Sequence, residues 1–271
     1  YCSPIFAATP GSRHGYDVVD HGRINPALGG EEGFRRFAAH ARAAGLGLIL
    51  DIVPNHAGIG AENERWQTAL EFGPRSPDAR FFDVDWTRGR LTLPFAEGPL
   101  DSLLRDGRLA LVAEPETGRL VVAYHEHRFP LRPRTATELL RSATGRSEDP
   151  ALDACAALDD TPADRAEITR RCDALRPVLA TVDTDRLGAL FADRARAVLD
   201  AQHWRLTPWR SAASVLTYRR FFDVTGLIGV RVEEPDVFEA VHRLPVSLVR
   251  EGLVDGLRVD HVDGLADPEA Y

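Results

Sequence analysis

The sequence predicts an α/β protein built on parallel strands, because two stretches each carry an amphipathic helix followed by an apolar strand that ends in a carboxylate. In the first stretch, Glu31 and Glu32 suit the positive end of a helix, and Gly45 suits the position after its last turn. The strand predicted at 46–53 is apolar almost throughout, as expected for a strand covered on both faces, and it contains Asp51. The predicted buried face of the helix consists of Phe34, Phe37, Ala38, Ala41 and Ala44.

The second stretch repeats this order near the end of the sequence. Pro235 is typical of a helix start and Gly252 of a helix end, and a strand is predicted at 254–260. Pro245 falls inside this helix, so a kink or a break is expected there. The predicted buried face consists of Val237, Phe238, Val241, Leu244 and Leu248. Helix–strand units of this kind build parallel α/β folds.

Polar residues collect at the ends of both predicted strands. In parallel barrels the C-terminal ends of the strands face the active site. One such residue alone would be interpreted as a loop residue or a strand cap, but five at two strand ends indicate a site. These five residues are Asp51, His56, Arg258, Asp260 and His261.

Asp260 is the candidate nucleophile of this site. Arg258 precedes it by two residues, so the alternation of a strand places both side chains on the same side of the sheet. A guanidinium there keeps the carboxylate ionised at neutral pH, as a nucleophile in acetal chemistry requires. The alternative is a plain structural ion pair between the same two residues.

The stretch at 57–234 is too long to be a simple connection, so it must carry structure of its own. Apolar segments at 109–112 and 120–124 flank a turn sequence and predict a β-hairpin. The part at 135–200 is rich in Ala, Arg and Asp with helical periodicity. We expect it to be a solvated helical insertion without chemistry.

The composition excludes several classes of function. The net charge of −8 argues against nucleic acid or an anionic membrane as the main partner. All 33 Lys and Arg positions are Arg, which excludes Schiff-base chemistry and the lysine of a phosphate-binding loop. Cys2, Cys155 and Cys172 lack the spacing of a disulfide framework or a zinc site, so we expect a cytoplasmic protein. No run approaches the roughly 18 apolar residues of a membrane span.

Two motifs resemble signature regions of the α-amylase superfamily, glycoside hydrolase family 13. They are the segments 51–56 (DIVPNH) and 256–261 (GLRVDH). Further segments resemble the maltooligosyltrehalose synthases of that superfamily, and together they cover most of the chain outside 135–200. These segments begin at Ser3 (SPIFAATPGSRHGYDVVDHGRINPALGGEEGFRRF), Phe81 (FFDVDW), His127 (HRFPL), Gln202 (QHWRLTPWRSAASVLTYRRFFDVTGLIGVRVEEP) and Gly252 (GLVDGLRVDHVDGLADPE).

The resemblance implies a fold that is more specific than α/β. It implies strands two to four of a TIM (β/α)8 barrel, with a large domain B inserted after the third strand. Accordingly, 1–56 and 235–271 are expected to be parts of the catalytic barrel, and 57–234 to be domain B with its helical insertion.

The resemblance also implies a reaction and a role for each matching residue. An α-1,4-glucan would pass its chain to Asp260, with Arg258 as electrostatic partner, and the released glucose would return through its anomeric hydroxyl to form an α,α-1,1 bond. His56 is expected to hydrogen-bond the sugar at the cleaved bond, and His261 to lie toward the leaving glucose. The other expected substrate-binding residues are His14 and Tyr16, with Tyr16 stacking on the sugar; Asp51 and Asn55, bracing the loop of His56; and His203, Trp204, Trp209, Arg210 and Tyr218, which would exclude water on the acceptor side. The alternative for Trp204 and Trp209 is packing of domain B onto the barrel.

Some parts of the superfamily pattern match no residue of this chain. The general acid and a third carboxylate are expected beyond Tyr271, and the absence of Met with an apolar start suggests a fragment. We therefore expect the isolated chain to be inactive. No metal or other cofactor is expected to be required, and the expected partner is a maltooligosaccharide or α-1,4-glucan. The alternatives are an α-amylase or a 4-α-glucanotransferase of the same superfamily, and a non-catalytic glucan-binding protein.

Overall fold

The computed structural model describes residues 1–159 and 164–271, so 160–163 of the predicted helical insertion lie outside the described residues. The described chain divides into two compact units. The first contains residues 1–64, 80–83 and 219–271, and the second contains residues 65–79 and 84–218. The first unit is therefore larger than the two predicted barrel segments, and the second is smaller than the predicted insertion.

Two parallel strands, β3 (Ile49–Ile52) and β11 (Gly256–Val259), form the centre of the first unit. Cys2 pairs with Leu50 along the other edge of β3, also in the parallel sense. The predicted parallel pairing of the two helix–strand stretches is thus confirmed. Leu46 and Ile49 are exposed, so the expectation that 46–53 is covered on both faces was wrong at its start. Residues 46–48 connect the turn at 44–45 to β3 and are not part of the sheet, and Ile49 is exposed although it begins β3.

The helices predicted before these strands are α1 (Gly30–Ala43) and α9 (Pro235–Arg250). Gly45 and Gly252 adopt the left-handed backbone, with φ of 71° and 69°, as expected of glycines that end helices. The helix α9 continues through Pro245, so the predicted break does not occur. Pro245 is buried, and packing of this face outweighs the hydrogen bond that a proline removes. Phe37, Ala44 and Phe238 are exposed, so the prediction that these three residues are buried was wrong.

Short antiparallel pairs flank the parallel strands of the first unit. One pair joins β1 (Phe6–Ala8) to β2 (Val18–Ile24), and the other joins β4 (His56–Gly58) to β10 (Leu227–Gly229). The second pair places His56 opposite Gly229, just after the end of β3. The core of the unit includes Ile5, Phe6, Val18, Ile24, Phe34, Leu48, Leu50, Ile52, Leu248 and Val254.

The second unit combines two small sheets with helices. β5 (Leu91–Ala96) and β9 (Trp204–Pro208) are parallel neighbours. β6 (Ala110–Glu114), β7 (Arg119–Tyr124) and β8 (His127–Pro130) form an antiparallel meander. The predicted hairpin is confirmed as β6 and β7, whereas β8 was not predicted.

Helices of the second unit include α2 (Glu64–Phe72), apart from its first residue, α3 (Leu100–Arg105), α4 (Pro133–Thr144), α5 (Pro150–Ala157), α6 (Arg165–Thr181), α7 (Thr184–Asp200) and α8 (Ala212–Val215). The helical prediction for 135–200 is thus confirmed for its described residues. The expectation of a merely solvated insertion was wrong, because the helices α4 to α7 each bury apolar side chains. Across the described ranges, no helix combines the length and the apolarity that crossing a membrane requires.

A buried ionic cluster lies inside the second unit. Glu71 on α2 accepts from Arg119 Nε at 3.0 Å and pairs with Arg171 Nη1 at 2.6 Å, and all three side chains are buried. Burial by itself would raise the pKa of Glu71, but the charges of Arg171 and Arg119 outweigh it and lower that pKa. The carboxylate is therefore ionised, and the cluster ties α2 to β7 and α6.

Candidate active site

Two carboxylates and one guanidinium meet at the ends of β3 and β11. Arg258 Nη1 lies 2.9 Å from both carboxylate oxygens of Asp51 and 2.6 Å from Asp260 Oδ1. Asp51 is fully buried, whereas Arg258 keeps 47% of its side chain exposed and Asp260 keeps 17%. Hydrogen bonds to Asp51 and then to Asp260 raise the pKa of Arg258, so the guanidinium stays charged between two carboxylates.

The parallel register explains why these residues meet. Arg258 stands directly beside Asp51 in the pairing of β11 with β3, so both side chains point to the same face of the sheet. Asp260 follows two residues later and donates its backbone N–H to the carbonyl of Ile52 at 2.9 Å. The prediction that Arg258 and Asp260 lie on the same side of the sheet is confirmed by the contact between their side chains.

Two tyrosine hydroxyls complete the surroundings of Asp51. Tyr16 Oη donates to Asp51 Oδ2 at 2.6 Å, and Tyr1 Oη donates to the same oxygen. The hydrogen bond to Asp51 and then burial raise the pKa of both tyrosines, so they remain protonated donors. His14 Nδ1 in turn accepts from the backbone N–H of Tyr16 at 3.1 Å. The loop that carries His14 and Tyr16 is therefore positioned on the buried carboxylate.

His56 lies beside this cluster, buried and neutral. Burial, followed by the neighbouring His261, lowers the pKa of His56 to about 4. Its Nε2 atom is buried without a hydrogen-bond partner in the part of the chain that the structure describes. An unpaired buried nitrogen is costly, so this atom is suited to a hydroxyl group of a ligand.

Arg219 supports the loop before His56. It donates from Nη1 to Asn55 Oδ1 at 2.8 Å and from Nη2 to the Asn55 carbonyl at 3.4 Å, and its Nε bonds Asp83 Oδ2 at 2.7 Å. Asn55 thus holds its loop through Arg219. Asp51 was expected to brace the same loop, but its side chain contacts Arg258 and the hydroxyl groups of Tyr1 and Tyr16.

Aromatic rings pack against the ring of His56. The ring of Phe221 stacks on His56 with centroids 3.8 Å apart and meets His261 edge-on at 5.0 Å. His261 adopts a left-handed backbone (φ 51°) directly after Asp260. Gly264 is required beneath this ring, because a Cβ there would collide with the imidazole of His261.

The remaining predicted substrate residues belong to the second unit. Trp204 is fully buried and donates its indole N–H to the Pro130 carbonyl at 2.9 Å, which is a packing role within that unit. Tyr218 is also buried. Burial of the His203 side chain lowers the pKa of His203 to about 4. Trp209 is exposed, with the guanidinium of Arg210 4.4 Å from its ring centroid.

Sequence reasoning missed four residues that contact the site. Tyr1, Asp83, Arg219 and Phe221 were not selected, although the last three stand in the segments FFDVDW and YRRFFDV that carry the resemblance. The available signal was the run of two arginines and two phenylalanines at 219–222, which precedes the second helix–strand stretch. No pattern within the sequence places Asp83 beside Arg219, since 136 positions separate them.

Metal ligands are not clustered at this site or elsewhere in residues 1–159 and 164–271, where no three His, Cys, Asp or Glu side chains are grouped to hold an ion. The expectation that no metal is required stays a prediction. We expect a chelator to leave the melting temperature unchanged, and a fall of several degrees would contradict it.

Comparison with known proteins supports the motif resemblance. Residues 1–98 match the sequence family described as alpha amylase, catalytic domain. A maltooligosyl trehalose synthase of Mycobacterium tuberculosis (strain H37Rv) is 36% identical over 100% of this chain, which spans 27% of that protein. The solved maltooligosyltrehalose synthase of Arthrobacter ramosus is 36% identical with a TM-score of 0.71, over 99% of this chain and 28% of that one.

A shorter match links the chain to a hydrolase. An intracellular maltogenic amylase of Bacillus subtilis is 34% identical over 31% of this chain and 14% of its own length. The curated relatives are therefore much longer than the chain, which spans about a quarter of the first of them. The resemblance inferred from the motifs is confirmed: the chain is similar over its whole length to maltooligosyl trehalose synthases, and it begins with an alpha-amylase catalytic-domain sequence of mixed α/β structure.

Proposed function

We propose that this chain supplies the nucleophile and part of the sugar-binding site of an enzyme that converts maltooligosaccharides into maltooligosyltrehaloses. The observation that carries the proposal is the bridge made by Arg258 Nη1. This atom contacts both the buried Asp51 and the partly exposed Asp260. The guanidinium contacts one oxygen of Asp260, and part of this side chain is still accessible. A carboxylate in this state is suited to attack an anomeric carbon.

The proposed reaction is an intramolecular transfer in two steps. An oxygen of Asp260 bonds to the anomeric carbon on the non-reducing side of the last α-1,4 bond, and that bond breaks. The released glucose takes a proton on O4 from a carboxylic acid, the general acid that the resemblance implies for the whole enzyme. The anomeric hydroxyl of the same glucose then attacks the glycosyl carbon, its proton returns to that acid, and the bond to Asp260 breaks. The product contains every atom of the substrate.

The other residues of the first unit bind and orient the sugar. His56 offers its buried Nε2 to a sugar hydroxyl, and Tyr16, whose hydroxyl donates to Asp51, stacks on the sugar. His261 follows Asp260 and lies toward the leaving glucose. We propose that His203, Trp209, Arg210 and Tyr218 contribute to the acceptor side. Trp204 was expected there as well, but its burial favours packing within its own unit.

The fold that accompanies this proposal is part of a TIM barrel. The parallel order of the Cys2 segment, β3 and β11 supports their assignment as barrel strands two, three and four. The second unit then corresponds to domain B, inserted between strands three and four. We propose a cytoplasmic enzyme that acts on maltooligosaccharides or α-1,4-glucan, and an isolated 271-residue chain that is inactive.

The test is a reducing-sugar assay on the natural-length gene product with maltopentaose. Formation of a maltooligosyltrehalose removes reducing ends, hydrolysis adds them, and disproportionation leaves their number constant. The proposal requires a loss of reducing ends with little free glucose. A rise would support the second candidate, an amylase, which the match to the Bacillus subtilis maltogenic amylase favours. An unchanged number of reducing ends with altered chain lengths would indicate disproportionation by a glucanotransferase. Unchanged chain lengths with glucan binding retained would indicate a non-catalytic binding protein.

A further inference from the structure

Phe222 is an aromatic residue in an unusual state. Its side chain is on the surface, with 69% of the residue exposed, and its backbone is left-handed with φ of 48°. A left-handed backbone is unfavourable for a bulky residue, and exposure of a large ring gains nothing from burial. Residues held in such conformations concentrate at ligand-binding sites. The position of Phe222 therefore requires an explanation other than folding of this unit.

The loop that contains Phe222 is fixed by contacts of the residues before and after Phe222 in the sequence. Arg219 fixes its start to Asn55 and Asp83, as described above. Arg220 donates from Nε to the Phe222 carbonyl at 3.2 Å and forms an ion pair with Asp223. The conformation is therefore determined by specific contacts of the loop.

The ring of Phe222 extends an aromatic surface that starts inside the site. Phe221 stacks on His56, Phe222 meets Phe221 edge-on at 4.6 Å, and its centroid lies 5.1 Å from that of His261. The surface thus runs from a buried ring that carries an unpaired nitrogen to an exposed ring beside His261. Aromatic faces of this kind bind the C–H faces of pyranose rings, and apolar surface next to polar groups marks ligand sites.

We propose that Phe222 is a sugar-stacking residue on the leaving-glucose side of Asp260 and that it determines whether transfer or hydrolysis follows. This inference rests on the proposed function, because it concerns the second step of that reaction. The ring holds the released glucose next to the glycosyl-enzyme while its anomeric hydroxyl turns toward the glycosyl carbon. Without the ring, glucose departs and water attacks the same carbon, which yields a shortened maltooligosaccharide and free glucose.

The experiment compares variants of the natural-length gene product on maltopentaose and measures the ratio of free glucose to maltooligosyltrehalose. We expect Phe222→Ala to raise this ratio about tenfold, and Phe222→Trp to keep it near the parent value. Phe222→Gly separates the effect of losing the ring from the effect of backbone strain, because glycine accepts a left-handed φ. We expect it to raise the ratio like Phe222→Ala without lowering the melting temperature. Val224→Ala, an exposed apolar position of the same loop, is the matched control with an unchanged ratio.

The outcomes distinguish this inference from the proposed function. If the parent enzyme forms no maltooligosyltrehalose, the proposed function fails and the inference fails with it. If the parent forms it and Phe222→Ala leaves the ratio unchanged, the proposed function stands and the inference is overturned. A lower melting temperature for Phe222→Ala with an unchanged ratio would show that the ring packs against another part of the enzyme, which also overturns it.

Discussion

The two compact units each contain a cluster of carboxylates and arginines, and the two clusters differ in how they are closed. In the second unit, Glu71 lies between Arg119 and Arg171, and all three side chains are buried. In the first unit, the single Arg258 lies between Asp51 and Asp260, and Arg258 and Asp260 remain partly exposed. The sealed cluster, in the second unit, is closed to a ligand, whereas the open cluster, in the first unit, leaves part of Asp260 exposed. Partial exposure, rather than the ion pairs themselves, is therefore the feature on which we propose the cluster of the first unit as the functional one.

The largest effect is expected at the open cluster, from Asp260→Asn. The variant removes the proposed nucleophile but keeps the shape of the side chain, so kcat of the natural-length gene product should fall by about 10⁴-fold or more. Its melting temperature should change little because Asp260 is partly exposed. Asp236→Asn, an exposed carboxylate in the first turn of α9, is the control. Activity within tenfold of the parent would exclude Asp260 as the nucleophile.

The sealed cluster should show the opposite pattern, with a large loss of stability. Glu71→Gln leaves two buried guanidinium groups without their carboxylate, so we expect the free energy of unfolding to fall by about 3–5 kcal/mol. Denaturant unfolding monitored by circular dichroism measures this. Asp173→Asn removes an exposed partner of Arg176 on α6, and we expect less than about 1 kcal/mol. Equal effects of the two variants would contradict the distinction.

Arg171→Met sharpens this test, because Arg119 still pairs with Glu71 in that variant. Two nitrogens of Arg171, Nε and Nη2, have no partner among the residues that the structure describes. Their removal offsets part of the lost ion pair. We therefore expect Arg171→Met to be less destabilising than Glu71→Gln in the same unfolding measurement.

The neutral state of His56 predicts how the first unit responds to acid. Burial, and then His261, lowers its folded-state pKa to about 4, against about 6.5 for an exposed histidine. The unfolded chain therefore binds a proton first as the pH falls, and stability decreases between about pH 6.5 and pH 4 by roughly 2–3 kcal/mol. His56→Asn should reduce this pH dependence of the free energy of unfolding. An unchanged slope would show that His56 is not the group responsible.

A smaller effect is expected from the hydroxyl groups on Asp51. Tyr16→Phe keeps the ring and removes one donor to a buried carboxylate, which should lower the free energy of unfolding by about 1–3 kcal/mol. The more exposed Tyr1 is the matched comparison, and Tyr1→Phe should have the smaller effect of the two. A larger loss for Tyr1→Phe would reverse the order of importance assigned to them.

Local patterns in the sequence were sufficient to predict several elements of the fold. The helices α1 and α9, the glycines that end them, the β6–β7 hairpin and the shared side of Arg258 and Asp260 all follow from spacing alone. The reason is that each depends on residues within one helix, strand or turn, where periodicity and backbone conformation decide the outcome. The two motifs likewise identified both halves of the open cluster.

Contacts between distant residues decided what the patterns could not. Glu71 and Arg171 read as ordinary charged helix positions, and only the packing of α2 against α6 and β7 turns them into a sealed cluster. Arg219 reaches Asn55 across 164 positions, and Phe221 reaches His56 in the same way. The continuity of α9 through Pro245 also depends on packing of its buried face. Burial, the register of parallel strands and the closure of a cluster are properties of the assembled chain, because no local periodicity encodes which distant side chain completes them.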